Sequence, residues 1–427
     1  MNKQILIGIL VTFFLIFGNA FATDYMNLKD SLSTALQNNP GIKAQDEEVM
    51  GKEMEKRSSF GEMLPKVTLN YGYARLNEEP SMTIPGMGEA LLGTKDNYEF
   101  TLEATQPLFA GGALYNSYRI SKNNYLAADL DRQKAIRELK QQVIEAYYGV
   151  IEARQVYEVA RSGVSSIKAH LDVSNAFFNQ GMIPKNDLLE AQVRYAESEQ
   201  NLIIADNAIK LAESNLNLLL GRNLAEPVTI DTEIPMSGLA ETLDKSTQTA
   251  LQMRQEVKTI MLQIDNANKA LKISKAGYLP SVAAKYTYER IGEDPDVEDD
   301  SWSVGVGMSW NIFEGGSNYH DVSRAKTVSN KLGHLLKSLQ DQISLEVKNA
   351  YLSSQEARAR TMVAEKAINQ AKENLRIQKD RYSLQVATTT NVLDAQALLD
   401  HAMKNYITAR ADYAKAIASL YSSMGTL

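Results

Sequence analysis

The sequence predicts a mainly α-helical chain with a membrane β-barrel, built from one unit of long helices and a β-hairpin that occurs twice. Three observations predict it. Period-two alternation marks four strands, each with an apolar and a polar side. Two helical patterns of about 65 residues reach roughly 95 Å at ~1.5 Å per residue, more than a globular core uses. The same local marks recur in the same order in both halves, the sign of a duplicated unit.

Composition narrows the class. The chain has 427 residues and a formal net charge of −7. An acidic chain without a basic cluster is a poor partner for nucleic acid. It has no cysteine, so disulfides, thiolate metal sites and an acylated N-terminal Cys are excluded. The four histidines, His170, His320, His334 and His401, include no pair at ligand spacing. No Ser, His and Asp cluster, and no Gly-rich phosphate loop follows a strand. The chain therefore reads as no enzyme and as needing no cofactor.

Residues 1–22 read as a secretory signal peptide. Lys3 gives the positive start, Ile5 to Phe17 is nearly all apolar, and Ala20-Phe21-Ala22 is a small-x-small cleavage site. The apolar run is short for a membrane helix. Cleavage would leave Thr23 first and, with Lys3 gone, a net charge of about −8.

The first repeat is expected over residues 23–222 and the second over 239–427, with 223–238 linking them. Each begins with a helix, Leu28 to Ser59 and Leu239 to Ala276. Leu64-Pro65 and Leu279-Pro280 stop these, because proline cannot continue a helix. Strands follow. Val67, Leu69, Tyr71 and Tyr73 form one apolar side, and Tyr98, Phe100, Leu102 and Ala104 another. The second repeat offers Val282, Ala284, Tyr286 and Tyr288, then Trp302, Val304, Val306, Met308 and Trp310. The acidic run Glu293 to Asp300 between them reads as a solvated loop.

After Gly111-Gly112 and Gly315-Gly316 come the long helices, Leu114 to Phe178 and Asn318 to Tyr382. Ile136, Leu139, Val143, Ala146, Val150, Ala153, Tyr157, Ala160, Val164, Ile167 and Leu171 make a heptad seam in the first. Ile343, Val347, Ala350, Ser354, Ala357, Thr361, Ala364, Ile368, Ala371 and Leu375 make a more polar one in the second. Such seams pack neighbouring helices side by side. The chain returns over Leu188 to Leu220 and Val392 to Leu420. The two helical tips match: Asp187-Leu188-Leu189-Glu190-Ala191-Gln192 aligns with Asn391-Val392-Leu393-Asp394-Ala395-Gln396. They read as the narrow end of a tube.

Strands with an exposed apolar face survive in a bilayer only as a closed barrel. Four strands cannot close one, since about eight is the practical minimum. The chain must oligomerise, and a dimer of about eight strands or a trimer of about twelve would serve.

This ordered set resembles the outer membrane efflux protein family, the TolC-like exit ducts. It comprises helix, Leu-Pro, strand hairpin, Phe-x-Gly-Gly, long helix and Leu-x-Ala-Gln return, twice. Tyr382-Ser383, Val392-Leu393-Asp394-Ala395 and Met424-Gly425-Thr426-Leu427 are the nearest local matches. The resemblance implies a homotrimer with a 12-stranded β-barrel in the outer membrane, meeting its lipid, on a 12-helix α-barrel in the periplasm. It implies a periplasmic adaptor (membrane fusion) protein and an inner-membrane pump or ABC exporter as partners. The implied function is passive conduction in tripartite efflux or type I secretion. The alternative is a periplasmic coiled-coil scaffold or adaptor, which would not need greasy strand hairpins.

The implied pore constriction at the periplasmic tip holds Asp394, Asn391 and Tyr382, with Asp187 nearby. The chain departs from the family there: Gln385 stands where a glycine is usual, Ala387 replaces a basic gate residue, and Asn391 replaces one of two acids. Asn391 and Asp394 also stand at N-cap and N3 spacing, as do Asp187 and Glu190, so the acids can equally be read as caps.

Overall fold

The computed structural model describes residues 25–236, 238, 241–295 and 300–427. The leader expected at 1–22 and the centre of the acidic loop lie outside these.

Two helical hairpins dominate the chain. In the first, α3 (Ala113–Asn179) of 67 residues is followed by α4 (Lys185–Leu220). In the second, α7 (Ser317–Ser383), also of 67 residues, is followed by α8 (Thr389–Ser423). At ~1.5 Å per residue each long helix runs roughly 100 Å. Both start from the Gly-Gly pairs, whose positive φ (60° and 82°, then 61° and 85°) lets the strand turn into the helix without a Cβ penalty. Among the described residues no helix is long and apolar enough to cross a membrane.

The strands occupy the other end. β2 (Lys66–Arg75), β5 (Asp96–Ala110), β7 (Ser281–Gly292) and β8 (Asp300–Ser309) form one antiparallel sheet in the order β2-β5-β7-β8. Register sorts its faces. Leu69, Leu102, Tyr288 and Trp302 stand in one row, and Val67, Ala104, Tyr286 and Val304 in the next. The opposite face carries Thr68, Glu103, Thr287 and Ser303, with Lys285 bonded to Glu103 at 2.7 Å. β2 and β8 are exposed along their whole length, and each keeps one edge without a partner strand among the described residues.

The structure adds elements the alternation did not reveal. A small hairpin, β3 (Ser81–Ile84) and β4 (Gly88–Leu91), fills the loop between β2 and β5. β1 (Tyr25–Met26) pairs in parallel with β6 (Thr229–Ile230) of the linker. Tyr147 Oη meets Asp231 at 2.8 Å and secures that pair to α3.

Each repeat's leading helix is broken, a correction to the single helices expected. The first is α1 (Leu28–Asn38) and α2 (Pro40–Gly61); the second is α5 (Leu243–Met253) and α6 (Gln255–Ala276). Pro40 suits a helix start and forbids continuation. Asn39 caps α2 through Gly41 N–H (2.8 Å) and donates to the Leu219 carbonyl (2.9 Å). Arg254 has the same place in the second repeat. It donates to the Ser423 carbonyl (3.0 Å) and to Glu346 (2.8 Å), so each break is a tie to the end of a returning helix.

The core lies where these ties converge. Val143, Tyr147, Val150, Leu216, Leu220 and Ile234 are buried together, and Ala250, Val257, Ile343, Val347 and Leu420 form a second cluster. The α7 seam is buried much as expected, at Ile343, Val347, Ser354, Ala357, Thr361, Ala371 and Leu375. The α3 seam shifts tipward: beyond Val150 the buried line is Val159, Gly163, His170 and Ser174, while Ala153, Tyr157, Ala160 and Val164 are half-buried. That line faces α7 and α8 rather than α4 alone.

Candidate functional site: the helical tip

The two tips share one backbone. Met182 N–H bonds the Phe177 carbonyl at 2.8 Å and Gly181 N–H that of Phe178 at 2.9 Å. Val386 to Arg381 (3.0 Å) and Gln385 to Tyr382 (3.0 Å) repeat the pattern. This Schellman ending calls for a left-handed residue. Gly181 supplies φ +71°, and Gln385 adopts φ +60° with a side chain attached.

Thr388, not Asn391, is the N-cap of α8. Its hydroxyl accepts from Asn391 N–H, and the Asn391 side chain accepts from Thr388 N–H, closing a capping box. Asn391 is therefore at N3, and Asp394, a turn further on, caps nothing. In α4 the N-cap is Pro184, so Asp187 and Glu190 are not a cap pair either; Asp187 accepts from Asn186 at 2.8 Å. The cap spacing was right in period and shifted by three residues in phase.

Tyr382 is buried, 5% exposed, inside the protomer's own packing. Its hydroxyl lies 3.1 Å from Ser174 of α3 and accepts from Thr389 of α8 at 3.1 Å. Its ring packs at a tilt against His170 (centroids 4.7 Å apart) and Phe177 (5.5 Å). One aromatic residue thus ties both hairpins together. Burial, aided by Lys379, pushes the His170 imidazole down to about 4.

One turn away runs a relay of hydrogen bonds. Lys379 donates to Ser166 (3.0 Å), Ser166 to Gln396 (2.6 Å), and Gln396 to Asp400 (2.8 Å). The Asp400 carboxyl lies over Gly163, where a Cβ would come within 2.9 Å of Oδ2. Burial pushes Asp400 up to about 6, against the opposing pull of Gln396 and Lys379.

Asp394 and Asn391 are exposed on α8. Asp394 faces Arg194 of α4 at 3.7 Å, and Arg194 also meets Glu197 at 3.3 Å. Thr390 donates to Glu190 of α4 at 2.9 Å. Arg194, Ser166, Lys379 and Asp400 were not singled out from sequence, and Glu190 only as a helix-cap candidate. Glu190 is the repeat counterpart of Asp394, and that equivalence was the signal available. Above these contacts an open groove of ≈ 610 Å³ runs between α3, α4 and α8, lined by small and aliphatic residues such as Val156, Ala160 and Ile204. The tip offers bonds that hold helices together and an exposed carboxylate, Asp394, on α8. Among the described residues it offers no group of metal-holding side chains.

Comparison with known proteins agrees with this architecture. The family described as "Outer membrane efflux protein" matches residues 31–222 and 247–426. The alkaline protease secretion protein AprF of Pseudomonas aeruginosa is 24% identical over 421 residues, covering 96% of this chain and 86% of that protein. The outer membrane protein TolC of Vibrio cholerae is 22% identical, covering 94% and 91%. The Campylobacter jejuni CmeC outer membrane channel superposes with a TM-score of 0.81 at 18% identity, covering 93% of this chain and 85% of that one.

Proposed function

The chain belongs to the outer membrane efflux protein family, and from that premise we infer that three copies close into one passive exit duct of an efflux or type I secretion system. The sheet lies in the outer membrane and the helices in the periplasm. The carrying observation is the sheet: one face largely apolar and, among the described residues, two edges without a partner strand, on the same chain as two 67-residue helices. In the alternating order of the sheet, β8 of one copy is antiparallel to β2 of the next, so closure leaves no edge in lipid. Four strands from each of three copies make the twelve-stranded barrel, and four helices from each the tunnel. Exposed apolar stripes support side-by-side packing: Ile204, Leu211 and Leu218 on α4, and Leu345, Leu352 and Val363 on α7.

The repeats, 23–222 and 239–427 around the 223–238 linker, place one hairpin each in the wall. Copies of Asp394 and Asn391 surround the axis at the narrow end. The names of the relatives point to secretion and efflux, so the partners are a periplasmic adaptor and an inner-membrane pump or ABC exporter, and substrate choice belongs to the pump. The test is membrane fractionation with native mass spectrometry in detergent. A trimer from the outer membrane supports the reading; a folded soluble monomer overturns it.

A further inference from the structure

Between the core and the tip, a second groove of ≈ 550 Å³ lies among α3, α7, α8 and the linker. Local ties shape it. Gln155 of α3 donates to the Thr232 carbonyl at 2.7 Å, and Arg410 of α8 donates to that of Ile234, so the segment after β6 is drawn over both helices. α7 adds Ile368 and Lys372 to the lining. Most of that lining is apolar: Ile151, Val159 and Ile407 are buried, with Ile368 and Met403 half-buried beside them. The volume falls in the range of about 300–1,000 Å³ that takes one small ligand.

Charge decides what kind. The lining acids are already engaged. Asp231 accepts from Tyr25 and Tyr147, and Glu158 meets Arg161 on its own helix at 3.7 Å. Of the lining cations, Arg154 pairs with Glu213 at 2.6 Å. Lys372 and Arg410 meet no carboxylate among the described residues; Arg410 has only the Ile234 carbonyl and the face of Tyr406, 5.7 Å away. An apolar trough with two uncompensated cations on its lining matches a single apolar chain that ends in an anion. We propose that this groove binds a single-chain anionic amphiphile, its chain along Ile151, Val159 and Met403 and its head group at Lys372 and Arg410. The site is complete within one chain, so it does not depend on closure of the duct. The stripes assigned to packing between copies, on α4 and α7, contribute none of its lining. An occupant touches three helices and the linker at once, and so braces them against one another.

The test uses the full chain in phosphatidylcholine nanodiscs, with empty nanodiscs as the blank and dansyl-undecanoic acid as the fluorescent probe. Fatty acids should displace the probe, with Kd falling roughly three- to fourfold for each added CH₂ until the groove is full and levelling after that. Partition into lipid would not level. Lauryl alcohol and dodecyltrimethylammonium share the chain but lack the anion, and should compete roughly tenfold more weakly than laurate. Comparing laurate with lauroyl-lysophosphatidylglycerol separates the sources: displacement by laurate alone assigns a free fatty acid, and displacement by both admits a lysolipid. Lys372 is exposed, so its replacement changes charge with little effect on folding. Lys372→Glu should weaken probe binding roughly tenfold, with the loss shrinking at high salt. Met403→Trp should abolish binding by filling the groove. Laurate should slow hydrogen exchange across residues 228–234 and 403–410 in the wild type, which places the ligand; if Met403→Trp does not fold, this map and Lys372→Glu decide. Equal competition by the alcohol, unchanged binding in Lys372→Glu, or no saturable binding above the blank overturns the proposal.

Discussion

Gln385 sits at φ +60° where its repeat counterpart Gly181 sits at +71°. A side chain there costs about 1 kcal/mol, and the greater freedom of an unfolded glycine offsets part of it. Gln385→Gly should therefore raise hydrogen-exchange protection around the second tip by up to about 1 kcal/mol, and it should not disturb conduction. Lower protection would show that the Gln385 side chain holds the tip. His170 and Asp400 make a pair of opposite sign. Asp400 is raised to about 6, so its contribution to α3–α8 packing is present in acid and lost as pH rises from 3.8 through 6. His170 is lowered to about 4, so its contribution is present above 6.5 and lost as pH falls towards 4. Between pH 4 and 6 the two slopes oppose each other, and tip protection should stay nearly flat. Asp400→Asn should make the tip loosen on acidification, and His170→Gln should make it tighten. Hydrogen exchange across residues 163–177 and 382–400 reads both, and parallel profiles in the two variants would refute the opposition. Little of this was visible in sequence. The motif located Asp394 and Tyr382, but Tyr382 is buried only because Ser174 and His170 arrive from a helix two hundred residues earlier, which no local spacing reports.

The long helices α3 and α7 were legible in length because a heptad seam repeats along them, and the four strands of the large sheet because apolar side chains alternate. What periodicity could not show is where a helix breaks without losing phase. α5 and α6 are parted by one residue, Arg254, an ordinary helix former that bends the chain by what it binds. It is 7% exposed and bonded to Glu256, Glu346 and the Ser423 carbonyl. Arg254→Ala would leave Glu256 with Arg137 alone and strand the Ser423 carbonyl. It should destabilise the second repeat by about 3 kcal/mol, read as an earlier thermal transition. No shift in melting would mean that water replaces the guanidinium. The same joint is acid-sensitive. Burial pushes Glu256 up, but hydrogen bonds from Arg137 and Arg254 outweigh it and hold it at about 2. Its stabilisation is present above 4.5 and lost as pH falls from 4.5 towards 2. Glu256→Gln should therefore flatten the acid limb of the melting temperature over that window.

At the scale of the molecule, the strand end and the helix end impose one requirement. A sheet with an apolar face and, among the described residues, two unpaired edges is unsatisfied in water and in lipid alike, which is the physical ground for proposing that the single chain is one segment of a wall. The fifteen-residue β5 spans about 50 Å along its length at ~3.3 Å per residue. Tilted by ~40°, it still covers a bilayer's apolar ~25–30 Å with polar rims to spare. The absence of cysteine makes closure directly testable. Asn70 in β2 and Ser301, Ser303 and Gly305 in β8 lie on the polar face. Asn70→Cys combined in turn with each of the three as Cys brackets the register between copies. One combination should oxidise to a covalent ladder that ends at the trimer, because a ring closed by three heterologous contacts has no edge left to extend. A ladder ending at the dimer would mean about eight strands and a tunnel too narrow for the helices to wall as described. A series without end would mean an open sheet, and monomer in every combination would mean that β8 and β2 never meet. Only the trimer limit makes the twelve strands above and the twelve helices below parts of one continuous duct.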